Sequence, residues 1–352
     1  MRCPNRTNRD RIDGLAAGER LSRSELERLI ETRTPEDDAF LFSRARALRE
    51  AYYGRDVYVR GLIEFTSYCR NDCLYCGLRR GNAAADRYRL SEEEILECCE
   101  AGYRFGFRTF VLQGGEDPHF SDARLVALIR AIKDRYPDCA LTLSVGERPF
   151  EVYRSYFEAG ADRYLLRHET ADTLHYRALH PQELSLGRRK QCLLDLRRIG
   201  FQVGCGFMVG SPHQTTRSLV EDLLFVTRLR PHMVGLGPFV PHRETPLAAW
   251  PAGSLELTLF LLGLVRLLLP NVLLPATTAL GTIHPRGREM GILAGANVVM
   301  PNLSPESVRG KYALYDNKLC TAAEAAEGLA LLRRRMAGIG FRLVVSRGDP
   351  AP

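Results

Sequence analysis

Apolar and polar positions follow two rhythms along this chain, one helical and one alternating, and the chain switches between them repeatedly. Residues 22–33 and 35–52 carry apolar side chains at helical spacing, which predicts two helices. The stretch before them, 1–20, is polar and reads as a loose arm. DVYVRGLIEF (56–65) is rich in β-branched and aromatic residues and reads as a strand. SEEEILECCEAGYRFG (91–106) returns to the helical period, with Ser91 as N-cap and Glu94 completing a capping box. RTFVLQGG (108–115) is again a strand, ending in glycines.

The cycle continues to the end of the chain. Strands are predicted at 140–145, 163–166, 202–208, 233–237, 272–275 and 297–300. Helices are predicted at 123–136, 150–159, 187–199, 215–229, 254–269 and 286–294, with a last one at 322–337. Strands that alternate with helices predict a parallel sheet. Eight such units over about 280 residues suit a closed α/β barrel of the (β/α)8 TIM type better than two open sheets. No Pro/Gly/Ser-rich linker divides the chain. The expected organisation is an N-terminal arm and helical extension over 1–54, followed by one barrel domain over 55–345.

Composition narrows the class. Hydrophobic residues make up 45% and charged residues 26%, as in an ordinary soluble globular protein. The net charge of +7 is modest for 352 residues, and Lys occurs only at 133, 190, 311 and 318. No stretch interleaves clustered cations with aromatics, so nucleic acid is not an expected partner. The most apolar segment, 255–269, is interrupted by Glu256 and Arg266 and is too short to span a bilayer, so no membrane association is expected. The N-terminus is polar and charged, with no apolar signal sequence. A reducing cytoplasm is therefore expected, with the ten cysteines serving as ligands or buried thiols rather than disulfides.

Three of those cysteines carry chemistry. SYCRNDCLYCGLRRGN follows the first strand with the spacing C-x3-C-x2-C, at Cys69, Cys73 and Cys76. Loops at the C-terminal ends of barrel strands are where barrel active sites sit. Zinc is one occupant to weigh, but structural zinc takes four protein ligands and no fourth Cys or His lies near. Catalytic zinc takes three. Three buried structural thiols are a second alternative, disfavoured by the polar Arg70, Asn71 and Asp72 between them. A four-iron cluster takes four thiolates in electron carriers. With three, one iron stays open to a ligand, which suits chemistry better than electron transfer alone.

That motif, with the aromatic Tyr75 just before the third Cys, resembles the radical S-adenosylmethionine (SAM) superfamily. The glycine pair of QGGED (113–117) strengthens the likeness: Gly114, Gly115 and Glu116 match a motif that in the superfamily meets the SAM amino group. RGLIEFTSYCRNDCLYCGLRRGN, YLLRHETA, PATTALGTIHPRGRE and GANVVMPNLSP further resemble the HydE family of FeFe-hydrogenase maturases, over roughly residues 55–320. The resemblance implies a 4Fe-4S cluster on Cys69, Cys73 and Cys76, with SAM as cofactor. It implies oxygen-sensitive radical chemistry in maturation of the hydrogenase diiron site. The substrate would be a small molecule or an organometallic precursor. Partner maturases and a reductant such as ferredoxin or flavodoxin are implied with it.

Carried over position by position, Tyr75, Gly114, Gly115, Glu116, Ser144, Glu169 and Arg189 resemble the SAM contacts. Arg167, Thr277, Thr278, Met300, Tyr312 and Tyr315 resemble the lining of a substrate cavity. For Met300 and the two tyrosines, core packing is an equal alternative. Some family members hold a second cluster on C-terminal cysteines; here only Cys320 stands in that region. Biotin synthase places extra cysteines on barrel strands, matching Val111, Ala140 and Gly204 here, and Cys139 and Cys205 are each one residue off that pattern. An amino-acid mutase of the methylornithine synthase type is the enzymatic alternative, and a metal or iron–sulfur binding protein without catalysis the other. Cys98 and Cys99 fall mid-helix and are expected to pack, and Cys3 is expected to be incidental. A monomer is expected, because a closed barrel leaves no sheet edge to pair.

Overall fold

Eight parallel strand segments close into a ring, with helices outside them. The computed structural model of this chain describes residues 6–319 and 325–351, and the side chains of 325–327 are left aside. Six strands form one continuous ladder in chain order: Gly61–Thr66, Thr109–Gly114, Ala140–Ser144, Arg163–Leu165, Gln202–Cys205 and Met233–Val234. The seventh segment joins through single bridges, Met233 to Leu273 and Pro275 to Val298. The eighth, Val298–Val299, pairs with Asp56–Val59, and Asn302 bridges to Leu62. That last pairing brings the sheet back to its first strand and leaves the (β/α)8 barrel without an open edge.

Three predicted strands are broken where the ring demands it. The first is interrupted at Arg60: its lower half pairs with the last strand, and its upper half with the second. The fifth stops at Cys205 and resumes as Met208–Val209, and the sixth stops at Val234 and resumes as Gly237–Pro238. Between those pieces the two strands approach so closely that a Cβ on Gly206 would lie 1.9 Å from the Gly235 carbonyl oxygen. Only glycine permits that contact. The upper pieces pair with each other, Met208 opposite Gly237 and Val209 opposite Pro238.

The helices follow the predicted pattern, with four additions among the described residues. Ser91 caps Glu92–Arg104 as expected: its N–H donates to Glu94 Oε2 at 2.7 Å, and the Glu94 N–H donates back to Ser91 Oγ at 3.2 Å. Leu255–Leu268 is buried nearly all round because it lies between the barrel and the helix Pro35–Tyr53. Arg266 is fully buried in it and donates to the carbonyls of Gly295, Pro270 and Val272. No helix among the described residues is long and apolar enough to cross a membrane.

The expectation of a loose arm over 1–20 is corrected. Asn8–Ala16 is a helix, capped by a Thr7–Asp10 box, and it buries Ile12 and Leu15. The Thr-x-x-Asp signal was present, but two apolar anchors in a polar stretch do not show as a period. Thr173–Leu179, Thr278–Ile283 and Glu306–Arg309 are short helices that the sequence reading missed. Ala325–Ala337 is the described part of the last predicted helix, and Cys3 and Cys320 lie outside the described residues.

The tail closes the lower end of the ring. Arg342–Val344 adds a strand beside Asp56–Val59. Asp349 then accepts from Arg163 at 2.7 Å, and the Arg347 carbonyl accepts from Thr109 and Arg163, both at 2.8 Å. One apolar core runs from Ile12 through the barrel to Phe341, so the N-terminal helices share it with the strands.

Candidate active site

The upper ends of the strands surround a cavity of about 360 Å³. The cysteine loop forms one wall. Cys69 and Cys76 line the cavity and Cys73 does not; the Cys73 carbonyl accepts from the Cys76 N–H at 3.4 Å. Backbone bonds fix the loop on three sides: Arg70 N–H to the Glu116 carbonyl, Leu74 N–H to that of Leu179, and Gly77 N–H to that of Leu314. All three thiols are half-buried. Burial pushes each of them up, Cys76 to about 12 and Cys73 further, and the neighbouring cysteines reinforce the rise at both. Three adjoining thiols that resist ionisation in the bare protein become thiolates only on a cationic centre, and metal binding releases their protons. The donor chemistry fits a thiolate-held metal cluster, although among the described residues the three side chains are not gathered into a group that would hold a metal ion.

The QGGED segment packs directly against that loop. The Glu116 N–H points at Cys69 Sγ, 3.4 Å away. A Cβ on Gly115 would lie 2.1 Å from the Tyr68 carbonyl oxygen and 2.7 Å from Cys69 Cβ. Glycine is thus required here for the approach of the cysteine loop, a stricter demand than room for a ligand. The Glu116 carboxylate is taken up within the protein: it accepts from Arg70 Nε and from the Glu147 N–H, both at 3.0 Å. Gly114 and Gly115 line the cavity, and Ser144 lines it from the next strand, in register with Gln113.

Opposite the cysteines, the fourth strand turns its charged end inward. Arg167 and Glu169 both line the cavity, while His168 between them is fully buried against Phe225. Glu169 adopts φ 63°, a left-handed conformation uncommon for a side chain of its size. Its backbone is held there by bonds to Gly206 and Met208. Arg167 Nη2 lies 3.1 Å from Glu169 Oε2, too poorly aligned for a hydrogen bond, and both atoms lack one. Thr277 Oγ1 is likewise buried without a partner. Unpartnered buried polar atoms are rare in native interiors. Here they line one cavity and mark it as a place for a polar or anionic ligand.

Arg189 comes up from the helix Leu186–Ile199. Its Nε donates to Glu147 at 2.5 Å, and its Nη1 donates to the Arg167 carbonyl at 2.8 Å. Burial works against its charge, but the neighbouring Tyr176 and Glu147 more than restore it. Tyr75 packs edge-on to His180, which stacks on Tyr176. Burial, with Arg189 nearby, pushes His180 down to about 3, so its imidazole is neutral.

The remaining wall comes from the seventh strand and from a strap, 311–319, that crosses the barrel mouth. Thr277, Thr278, Met300, Tyr312 and Tyr315 all line the cavity, which brings every residue of the predicted substrate group together. The sequence reading missed Glu64 and Lys318. Glu64 is an inward position of the first strand, and its carboxylate accepts from Lys318 at 2.5 Å and from Asn302 at 2.7 Å. A single acid inside an apolar strand was the available signal. Glu147 was also missed; it follows the third strand immediately but faces Arg189 rather than the cavity. Cys98, Cys99, Cys139 and Cys205 are buried and none lines the cavity, as expected.

Comparison with known proteins gives the family and the fold. The model of the Radical SAM superfamily matches residues 63–226. The chain is 47% identical to the "[FeFe] hydrogenase maturase subunit HydE" of Thermotoga maritima, over 86% of this chain and 87% of that one. It is 30% identical to the "3-methylornithine synthase" of Methanosarcina barkeri, over 87% of each. A solved structure of methylornithine synthase (PylB) superposes with a TM-score of 0.84 at 28% identity, covering 95% of this chain and 97% of that chain.

Proposed function

The chain belongs to the radical SAM superfamily, in the family of the hydrogenase maturase HydE, and from that membership we propose that it cleaves SAM reductively and serves in building the FeFe-hydrogenase diiron site. Cys69, Cys73 and Cys76 would hold a 4Fe-4S cluster. When bound, that cluster supplies the electron that splits SAM into methionine and a 5′-deoxyadenosyl radical.

The protein's own contribution is placement and shielding. Arg189 presents its guanidinium to the SAM carboxylate, as a charge-assisted donor. Glu169 offers an unused carboxylate oxygen to a ribose or amine. Ser144, Tyr75 and the backbone at Gly114 and Gly115 complete the SAM side. Arg167, Thr277 and Thr278 form an anion-accepting pole on the far side, bounded by Met300, Tyr312 and Tyr315. Pre-set polar groups of this kind need no reorganisation when the ligand arrives. The substrate is a small molecule with an anionic portion, of the organometallic precursor type. Acting with other maturases, as a monomer reduced by a ferredoxin or flavodoxin, completes the proposal.

The single observation that carries it is the cysteine loop, with Cys69 and Cys76 lining one cavity together with buried polar atoms of Arg167, Glu169 and Thr277 that make no hydrogen bond. A protein that only stored a metal would have no use for such orphaned polar groups. The likeness to the Thermotoga maritima maturase exceeds that to the methylornithine synthases, which favours the maturase over the mutase. The test begins with anaerobic reconstitution. Iron and sulfide near four each per chain, a SAM-dependent change in the reduced cluster's EPR spectrum, and 5′-deoxyadenosine formation are expected. Hydrogenase produced with its other maturases should gain activity only when this protein is supplied. Zinc without sulfide, or hydrogenase activation indifferent to this protein, would defeat the proposal.

A further inference from the structure

Glu147 lies in the loop after the third strand, and two contacts of its own tie it to the cavity wall without putting it inside the cavity. Its carboxylate receives Arg189 Nε at 2.5 Å. Its N–H donates to Glu116 Oε1 at 3.0 Å, which links it to the segment that packs on Cys69. Arg189 in turn donates from Nη1 to the Arg167 carbonyl at 2.8 Å. Two of the three guanidinium nitrogens are thereby engaged by the protein. Nη2 makes no hydrogen bond to a described residue, and Arg189 lines the cavity. The Arg189 and Glu147 side chains are 10% and 14% exposed, so the pair is largely desolvated and each partner fixes the other.

Two physical consequences follow. An arginine fork already held in place loses less rotational freedom when it takes a carboxylate, so binding is stronger than to a free side chain. A guanidinium already neutralised by a carboxylate also repels a cationic ligand less. SAM carries one carboxylate, one ammonium and one sulfonium, a net positive charge. An unpaired Arg189 would attract its carboxylate but oppose the molecule as a whole.

We propose that Glu147 is a positioning residue for the amino-acid end of SAM: it pins Arg189 with the Nη2 edge toward the cavity and cancels its charge. The proposal rests on the radical SAM reading of the site. Glu147 touches Arg189 and not the ligand, so its effect is confined to the carboxylate-bearing end.

The experiment uses the full-length, cluster-loaded protein without reductant, so that nothing turns over. Binding of SAM and of 5′-methylthioadenosine, which lacks the amino-acid end, is measured by equilibrium dialysis for the wild type, Glu147→Gln and Glu147→Ala. Glu147→Ala is expected to weaken SAM binding about tenfold, as loss of a charge-assisted contact does. Glu147→Gln, which keeps an acceptor but not the charge, should fall between it and the wild type. Methylthioadenosine should bind all three within about twofold. Iron content serves as the control for folding; if Glu147→Ala loads poorly, the near-isosteric Glu147→Gln carries the comparison. SAM binding unchanged in both variants, or equal weakening of both ligands, overturns the proposal. A wild type that binds methylthioadenosine but not SAM also overturns it, and a wild type that binds neither defeats the radical SAM reading on which it rests.

Discussion

Lys318, carried on the strap across the barrel mouth, donates to Glu64 on the inner wall of the first strand at 2.5 Å. Their side chains are 8% and 1% exposed. The lysine also donates to the Tyr312 carbonyl and lies over the Tyr312 ring, and the acid also accepts from Asn302. Burial pushes Glu64 up, and Lys318 opposes that rise. The pair is internally satisfied and ties the strap to the wall.

Breaking that pair from one side leaves a buried charge uncompensated. Lys318→Met is expected to cost about 3–5 kcal/mol of stability in guanidinium unfolding. Adding Glu64→Gln to it should recover most of the loss. A cost below about 1 kcal/mol would mean that the pair opens to solvent.

Gly115→Ala is expected to abolish cluster binding. The new Cβ would lie 2.1 Å from the Tyr68 carbonyl oxygen, and backbone cannot yield there without moving Cys69. Reconstituted Gly115→Ala should retain less than about a tenth of wild-type iron, because thiolate sites depend on ligand geometry. Gly187→Ala is the control: a Cβ there meets nothing within 4 Å. Normal iron content in Gly115→Ala would show that the loop has slack.

Thr277→Val separates stability from function. The Thr277 hydroxyl is buried without a hydrogen bond, and an unmet hydroxyl costs about 1–3 kcal/mol. Replacing it by a methyl of the same shape should raise unfolding stability by up to about 1 kcal/mol in the ligand-free protein. The same variant should activate hydrogenase less well than the wild type. Lower stability with full activity would assign the hydroxyl a structural partner instead.

Stability should fall with pH through the histidine range. His180 is 3% exposed, and burial together with Arg189 lowers it from 6.5 to about 3. Below 6.5 the unfolded chain binds a proton that the folded chain refuses, so its contribution is full above 6.5 and is lost as pH falls toward 3. Between pH 6.5 and pH 5 the loss from this group is at most about 2 kcal/mol. His180→Gln should flatten that segment of the stability–pH curve in urea titrations at several pH values. An unchanged slope would mean that His180 opens to water below neutrality.

Much of the barrel was legible because its signals are local. Ser91 and Glu94 stand three residues apart, and the capping box they predict is the one observed. The three cysteines lie within eight residues, so placing them on one loop needed only local spacing. The helix Asn8–Ala16 was missed although its box is equally local, because Ile12 and Leu15 alone do not set a period. The breaks at Arg60, Gly206 and Gly235 were not legible, since each depends on how near the neighbouring strand comes.

The amino-acid sequence by itself determined the alternation of strands and helices, the caps, and the set of thiols that a metal centre would use. All of these are written in spacings of a few residues. The tertiary structure alone decided that Lys318 meets Glu64 across 254 positions and that Arg189 meets Glu147 across 42. Alternation along a strand tells which side chains face inward, but not which of them share a level once the ring has closed. That level is set by the stagger of eight strands at once, and it is what turns separate charged residues into ion pairs and leaves the Thr277 hydroxyl without a hydrogen bond over the cavity.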